Sequence, residues 1–288
     1  MSYKKSKLKR IVILGSNSFI ASYLKKKCLE NNTDILMISR KQINLNSNQA
    51  FIKLNKILKP QDTIVFIAAV APVKNLSMLN YNLNMCENVL KSLSTIKELN
   101  HLIYISSDAV YSDSKKKLNE KSQSVPNSLH GFMHLIRESM LNNLDCPKCF
   151  VRPTLVYGEN DPHNGYGPNQ FIRNAQNNKN ITLFGKGEER RDHINVNDVG
   201  NIIYEIAKKK VTGVVNAVSG DLVSFYDIAK QVKKIYPKIK IKNIKRKGPM
   251  PHDGYRAFDN KLLKSRVGNI SITKLHHWIK KKNKYKPL

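Results

Sequence analysis

Between Ser128 and Leu141 the sequence reads SLHGFMHLIRESML, and a helix over this stretch brings His130 and His134 onto one face, one turn apart. Two imidazoles so placed can ligate a metal, can hold and pass protons near neutrality, or can be packed side chains without chemistry. An unperturbed imidazole titrates near about 6.5, which suits proton transfer without a helper group. The metal reading needs a third ligand, and Glu138 lies two turns from His130, about 12 Å along a helix axis. No metal is therefore expected.

The elements that must position such a pair are legible in the hydrophobic pattern. RIVILG (10–15), TDILMIS (33–39), TIVFIAA (63–69), HLIYISS (101–107) and CFVRPTLVYG (149–158) are short, β-rich and apolar on both faces. Helical segments are predicted between them near 18–30, 79–99 and 127–143. Buried strands separated by helices make a doubly wound parallel sheet, a fold that binds ligands at the carboxyl ends of its strands. After residue 158 the texture changes to a loop, GENDPHNGYGPNQ, and then to shorter mixed elements. INVNDVGNIIYEIAKK is expected to open a helix with Asp198 near its start, and SFYDIAKQVKKIY to be a helix capped by Ser224. The predicted organisation is a dinucleotide-binding part over 1–157 and a smaller substrate lobe over 158–288, some segments of which return to the first part.

The chain has 288 residues, 41% of them apolar, enough for one large core or for a large and a small lobe. Its net charge of +29 comes mostly from lysine, concentrated in Lys4 to Arg10, in KKIYPKIKIKNIKRK (233–247) and in KKKNKYK (280–286). These runs lack interleaved aromatics or a groove-binding motif, so specific nucleic-acid binding is not expected and anionic small molecules are the better partners. There is no apolar run of about 18 residues and no leader-like segment ahead of IVILG, which points to a cytoplasmic protein without a membrane partner. Of the cysteines, only Cys146 and Cys149 (CPKC) have redox or metal spacing. They precede an apolar strand instead of opening a helix, and no second CxxC follows.

After the first strand comes GSNSFIASYL, with Gly15 at the turn and the small residues Ser18 and Ala21 where a glycine-rich turn has its second and third glycines. YISSDAVY, RPTLVYGEND and GKGEERRDHINVNDVG follow in order, with Asn82 and Asn88 between. In this order of motifs, over nearly its whole length, the chain resembles the extended short-chain dehydrogenase/reductase family of nucleotide-sugar epimerases, dehydratases and reductases. The resemblance implies a Rossmann-type fold and a bound NAD(P), contacted by Gly15, Ser16, Ser18, Phe19, Ile20, Ala68 and Ala69. The second strand ends in Ser39-Arg40-Lys41 instead of an acid, and Arg40 offers a planar fork for a 2′-phosphate. NADP is accordingly expected over NAD.

The family carries a Tyr and, four residues on, a Lys in the segment where this chain has PNSLHGFMHLIRESML. Pro126, Ser128, Gly131 and Glu138 fall into register, which puts His130 at the Tyr and His134 at the Lys. Two readings remain open beside the metal. His130 replaces the Tyr as general acid/base, with His134 donating to the cofactor ribose, or the site is chemically silent and the protein binds dinucleotide and nucleotide sugar without turnover. Ser107 matches the family's catalytic Ser/Thr. Asp108 matches the acid of its 4,6-dehydratases, but Ala109 stands where those have a Glu base, which disfavours dehydration.

On the substrate side the resemblance implies that Arg191, with Arg190 beside it, and Arg256 or Arg246 grip a nucleotide diphosphate, and that Asn169, Phe171 and Arg173 line the nucleotide pocket, Asp108 lying near the sugar. The expected activity is an NADP-dependent reductase or epimerase acting on a nucleotide-activated sugar in the synthesis of a surface polysaccharide. Many members of the family are dimers, so a homodimer is a further expectation.

Overall fold

The computed structural model describes residues 8–268 and 270–282, so Lys4 to Lys7 of the basic arm and 283–286 of the lysine tail lie outside the described residues. The first part runs β1 (Arg10–Leu14), α1 (Phe19–Glu30), β2 (Asp34–Ile38), α2 (Ala50–Asn55), β3 (Asp62–Phe66), α3 (Leu76–Ser94), β4 (His101–Ile105), α4 (Leu129–Asn142) and β5 (Lys148–Pro153). The remainder is β6 (Leu155–Tyr157), α5 (Pro168–Gln176), β7 (Ile181–Phe184), β8 (Arg190–Asn195), α6 (Val196–Lys209), β9 (Gly213–Ala217), β10 (Leu222–Ser224), α7 (Phe225–Ile235), β11 (Ile241–Ile244), β12 (Tyr255–Arg256), α8 (Lys261–Val267) and α9 (Leu275–Lys281).

The central sheet has the order β2-β1-β3-β4-β5-β9, every pairing parallel. Its strands are apolar throughout because both faces are covered, and the two-residue period sorts their side chains. Ile11 and Ile13 of β1, with Ile103 and Ile105 of β4, face a core shared with α1 and α6. Val12, Leu14, Leu102 and Tyr104 face the opposite core, shared with α2, α3 and α4. Each such fully buried aliphatic side chain contributes about 1.5–3 kcal/mol relative to exposure. The strand order reverses between β1 and β3, which opens a crevice at the carboxyl ends of those strands.

The single strand predicted over 149–158 is two strands in different sheets. β5 stays in the central sheet, whereas β6 pairs with β8 in a sheet that also holds β10 and β12. Thr154 makes the transfer, its backbone N–H donating to Ala217 at 3.2 Å and its hydroxyl to Asp192 Oδ1 at 2.9 Å. A pattern of apolar residues reports burial and is blind to this change of sheet. The short α2 has no counterpart in the sequence reading; α3 begins earlier than predicted because the Asn75 side chain caps it, accepting from Met78 N at 2.9 Å, and it ends earlier, at Ser94.

The smaller lobe has its own core, in which Tyr157, Phe171, Phe225, Ile228 and Trp278 are buried together. Ser224 caps α7 as expected, accepting from Asp227 N at 3.0 Å, and Asp198 sits in the first turn of α6. β9 and α6, although late in the chain, pack against the central sheet.

Candidate active site

Gly15 ends β1 with φ +104°, and a Cβ there would stand 2.7 Å from the backbone nitrogen of Ala68. Only glycine lets the β1 turn approach the end of β3 this closely. Ser18 then caps α1 by accepting from Ala21 N at 3.1 Å, leaving the helix N-terminus beside the crevice. A cavity of about 320 Å³ lies here, lined by Gly15, Asn17, Ser18, Phe19, Arg40, Ala68 and Ala69 among others. The Arg40 guanidinium is 5.6 Å from the centre of the Tyr81 ring, and among the described residues no carboxylate lines this cavity.

A second cavity of about 370 Å³ continues from it, lined by Ser18, Phe19, Ile20, Ala69, Ser107, His130, His134 and Asn169, and also by Asp161, His163, Tyr166 and His193. Ser18, Phe19, Ile67, Ala69 and His163 border both cavities, which makes one continuous cleft. Gly131 brings α4 to this wall: a Cβ on it would lie 2.1 Å from the Ala109 carbonyl oxygen. The helix thus rests on the turn that follows Ser107.

His130 lies in the first turn of α4, which Ser128 caps by accepting from Gly131 N at 3.2 Å. Its Nδ1 is buried without a hydrogen-bond partner, and burial holds the imidazole below its ordinary value, against the pull of nearby Asp108. The positive end of a helix disfavours an imidazolium too. His134 lies deeper, its ring centre 4.8 Å from that of His130, with Nδ1 2.7 Å from the Tyr104 hydroxyl. The Ser107 hydroxyl accepts from Ala109 N at 3.1 Å and keeps its own proton for donation toward the cavity it lines.

Several expected contacts go elsewhere. The backbone N–H of Ser16 is directed at the Ile38 carbonyl (3.1 Å), and Asn17 takes its place on the cavity wall. Asp108 is buried and accepts from Arg256 Nε at 3.2 Å, away from the cleft. Arg256 is itself enclosed, also donating to the carbonyls of Asp108, Ser112 and Tyr111 and to Asp113. A guanidinium with its donors so committed has none left for a diphosphate in this arrangement. Arg191 and Arg246 share Glu189, at 3.2 and 3.1 Å. Arg173 points away from the second cavity, clamping the loop after β6 through Asn164 and the Asp161 carbonyl. Asn169 does line the cleft, but its amide is engaged by Gly158 N and Asp161. Glu138, weighed above as a metal ligand, is bound by Arg152.

The sequence reading missed Tyr104, Arg137, His163 and His193. His193 lies within the RRDH motif, and its Nδ1 is 3.2 Å from the Arg191 carbonyl, so Nδ1 carries the proton and the buried Nε2, without a partner, is an acceptor at the cavity wall. Burial lowers this imidazole to about 3. Among the cysteines, burial pushes Cys149 up to about 12, and Cys146 is raised in the same direction. Among the described residues no group of three or more His, Cys, Asp or Glu side chains is placed to hold a metal ion, and no helix is long and apolar enough to cross a membrane.

A parallel sheet whose order reverses at β1, a glycine turn opening α1 and a cleft along the strand ends define a doubly wound α/β protein. The sequence matches the NAD dependent epimerase/dehydratase family over residues 11–218, and the chain belongs to that family. It is 26% identical over 273 residues to a dTDP-D-glucose 4,6-dehydratase of Dictyostelium discoideum, a match covering 78% of this chain and 62% of the length of that relative. The fold is that of UDP-N-acetylglucosamine 4-epimerase from Bacillus cereus, with a TM-score of 0.78 at 19% identity and coverage of 96% and 98% of the two chains. It is equally similar to UDP-glucuronic acid 4-epimerase from Bacillus cereus, solved in complex with NAD, with a TM-score of 0.77 at 19% identity and coverage of 95% and 99%.

Proposed function

We propose that the protein is an NADP-dependent reductase or epimerase acting on a nucleotide-activated sugar, in the synthesis of a surface polysaccharide, with His130 as the proton-transfer group. The observation that carries this reading is the continuous cleft, with Arg40 in one cavity and the His130 imidazole, its Nδ1 unpartnered, in the other.

The residues present fit a dinucleotide. Gly15 leaves the space that a Cβ would fill, the N-terminus of α1 supplies donors and a positive field for a diphosphate, and Arg40 suits a 2′-phosphate. When bound, the nicotinamide supplies or accepts the hydride. His130 exchanges a proton with the sugar oxygen, taking it as the neutral imidazole when the hydroxyl is oxidised and giving it as the imidazolium when the carbonyl is reduced, and Ser107 donates a hydrogen bond to the same oxygen. Because Asp108 is held by Arg256 and Ala109 carries no acid, these two positions do not supply the acid and base that elimination of water needs, which disfavours dehydration. Reduction is favoured over epimerisation because a phosphate-selective site suits an exchangeable, reductive cofactor. On α4, Phe132 and Ile136 are exposed one turn apart, which supports a homodimer through that helix.

Native mass spectrometry of the purified protein tests the reading by showing which dinucleotide and which nucleotide sugar travel with it. NADP together with a nucleotide sugar is the expected result. Binding of both without hydride exchange in any pair would leave a ligand-binding protein on the same fold.

A further inference from the structure

Beneath the two histidines lies a buried polar layer that the proposed chemistry does not use. Tyr104, on β4, is fully buried on the face that meets α3 and α4, and Arg137, on α4, is fully buried beside it. Arg137 makes no ion pair among the described residues. Its Nη2 donates to the Ala68 carbonyl at 3.0 Å, its Nη1 approaches Met133 Sδ at 3.8 Å, and its Nε has no partner. The guanidinium carbon stands 4.2 Å from the centre of the Phe66 ring and 5.1 Å from that of Tyr104. A cation buried without an anion is costly, and two aromatic faces and one carbonyl replace only part of its water.

This layer decides where the His134 proton sits. The Tyr104 hydroxyl lies 2.7 Å from His134 Nδ1, and the Arg137 guanidinium, which can only donate, is its other polar neighbour. A buried phenol that did not donate would leave its proton unmatched, and the neighbouring guanidinium favours an electron-rich phenol oxygen. The phenol therefore donates and Nδ1 accepts. A neutral imidazole with Nδ1 as acceptor carries its proton on Nε2, and His134 lines the second cavity. Burial, then His130 and Arg137, push the His134 imidazole well below its ordinary value. The other titratable groups around this pair, Cys86 and Glu138, act on the Tyr104 phenol.

We infer that Tyr104 and Arg137 are positioning residues that fix His134 as a neutral imidazole with its Nε2–H directed into the cleft, a constant donor to a hydroxyl or carbonyl oxygen of the ligand, so that His130 alone changes protonation. This rests on the reading of the cleft given above. A lysine would present a charge at this point of the helix. Here the cation sits one turn deeper, out of reach of the ligand, and a neutral donor faces it.

Nitrogen-resolved NMR of imidazole-labelled, ligand-free protein reads the tautomer directly. The expected result is an Nε2–H imidazole at His134 that does not titrate between about pH 5 and 8. In Tyr104→Phe the Nδ1 resonance loses its hydrogen-bond shift and an Nδ1–H population grows in, and calorimetry with NADP+ shows affinity about tenfold weaker, as for one lost hydrogen bond. An Nδ1–H imidazole in the unmodified protein, titration within that range, or a Tyr104→Phe spectrum identical to the parent would overturn the inference. If the unmodified protein bound no dinucleotide the cofactor reading would fail, while the NMR spectra would still decide the state of His134.

Discussion

Glu138 and Arg152 form a buried two-point ion pair, with Nε to Oε1 at 2.9 Å and Nη2 to Oε2 at 2.5 Å, that fastens the helix carrying both histidines to β5 of the central sheet. Arg152 also lies over the Tyr111 ring at 4.7 Å. Two positions that register with separate motifs in the sequence are thus one structural joint, and the placement of His130 depends on it. Removing one partner strands a buried charge on the other. Glu138→Gln is expected to lower stability by about 3–5 kcal/mol in urea unfolding, and the double change Glu138→Met with Arg152→Met to cost less than either single change.

Replacing His130 with Ala removes the proposed proton-transfer group and leaves the dinucleotide cavity intact. Turnover is expected to fall about 10²- to 10⁴-fold, with NADP affinity by calorimetry changed less than about twofold. Undiminished turnover would refute the role assigned to it.

In the proposed function Arg40 bears on cofactor choice alone. Arg40→Ala is expected to weaken NADP binding by about ten- to a hundredfold, one or two charge-assisted hydrogen bonds, and to leave NAD binding nearly unchanged. Competition titrations with the two dinucleotides measure the ratio.

Gly15→Ala sets a Cβ 2.7 Å from Ala68 N in a backbone conformation that alanine resists. A loss of about 1–3 kcal/mol is expected from the strain, together with weaker dinucleotide binding because the β1 turn moves off the end of β3. Thermal unfolding with and without NADP separates the two effects.

Stability is expected to fall as the pH drops from about 6.5 toward about 4. His101, lowered to about 4, His193, lowered to about 3, and His134, lowered well below the ordinary value, stay neutral in the folded chain while the unfolded chain takes up protons. Each contributes up to about 1.4 kcal/mol per pH unit across that interval, with its stabilisation fully present above the unfolded value. Asp192, raised to about 6 by burial, and Asp198, raised by burial in the same direction, act in the opposite sense, binding their protons more tightly when folded. Three histidines outweigh two aspartates, so the net slope is positive. Urea midpoints at a series of pH values measure it.

The sequence by itself determined the doubly wound sheet, the turn at Gly15, the place of Arg40 at the end of the second strand, and the pairing of His130 with His134 on one wall. These are local properties: a strand apolar on both faces, a glycine after it, a cap before a helix and a four-residue spacing all act within a few residues of chain. What only the tertiary structure decided is which charges meet. Arg256 and Asp108 are 148 residues apart and close on each other, Arg246 reaches Glu189 across 57 residues, and Tyr104 on β4 reaches His134 on α4. Spacing along the chain does not encode such contacts, because a long flexible side chain takes the partner that burial makes cheapest, and burial is fixed only when the sheet and its helices have come together.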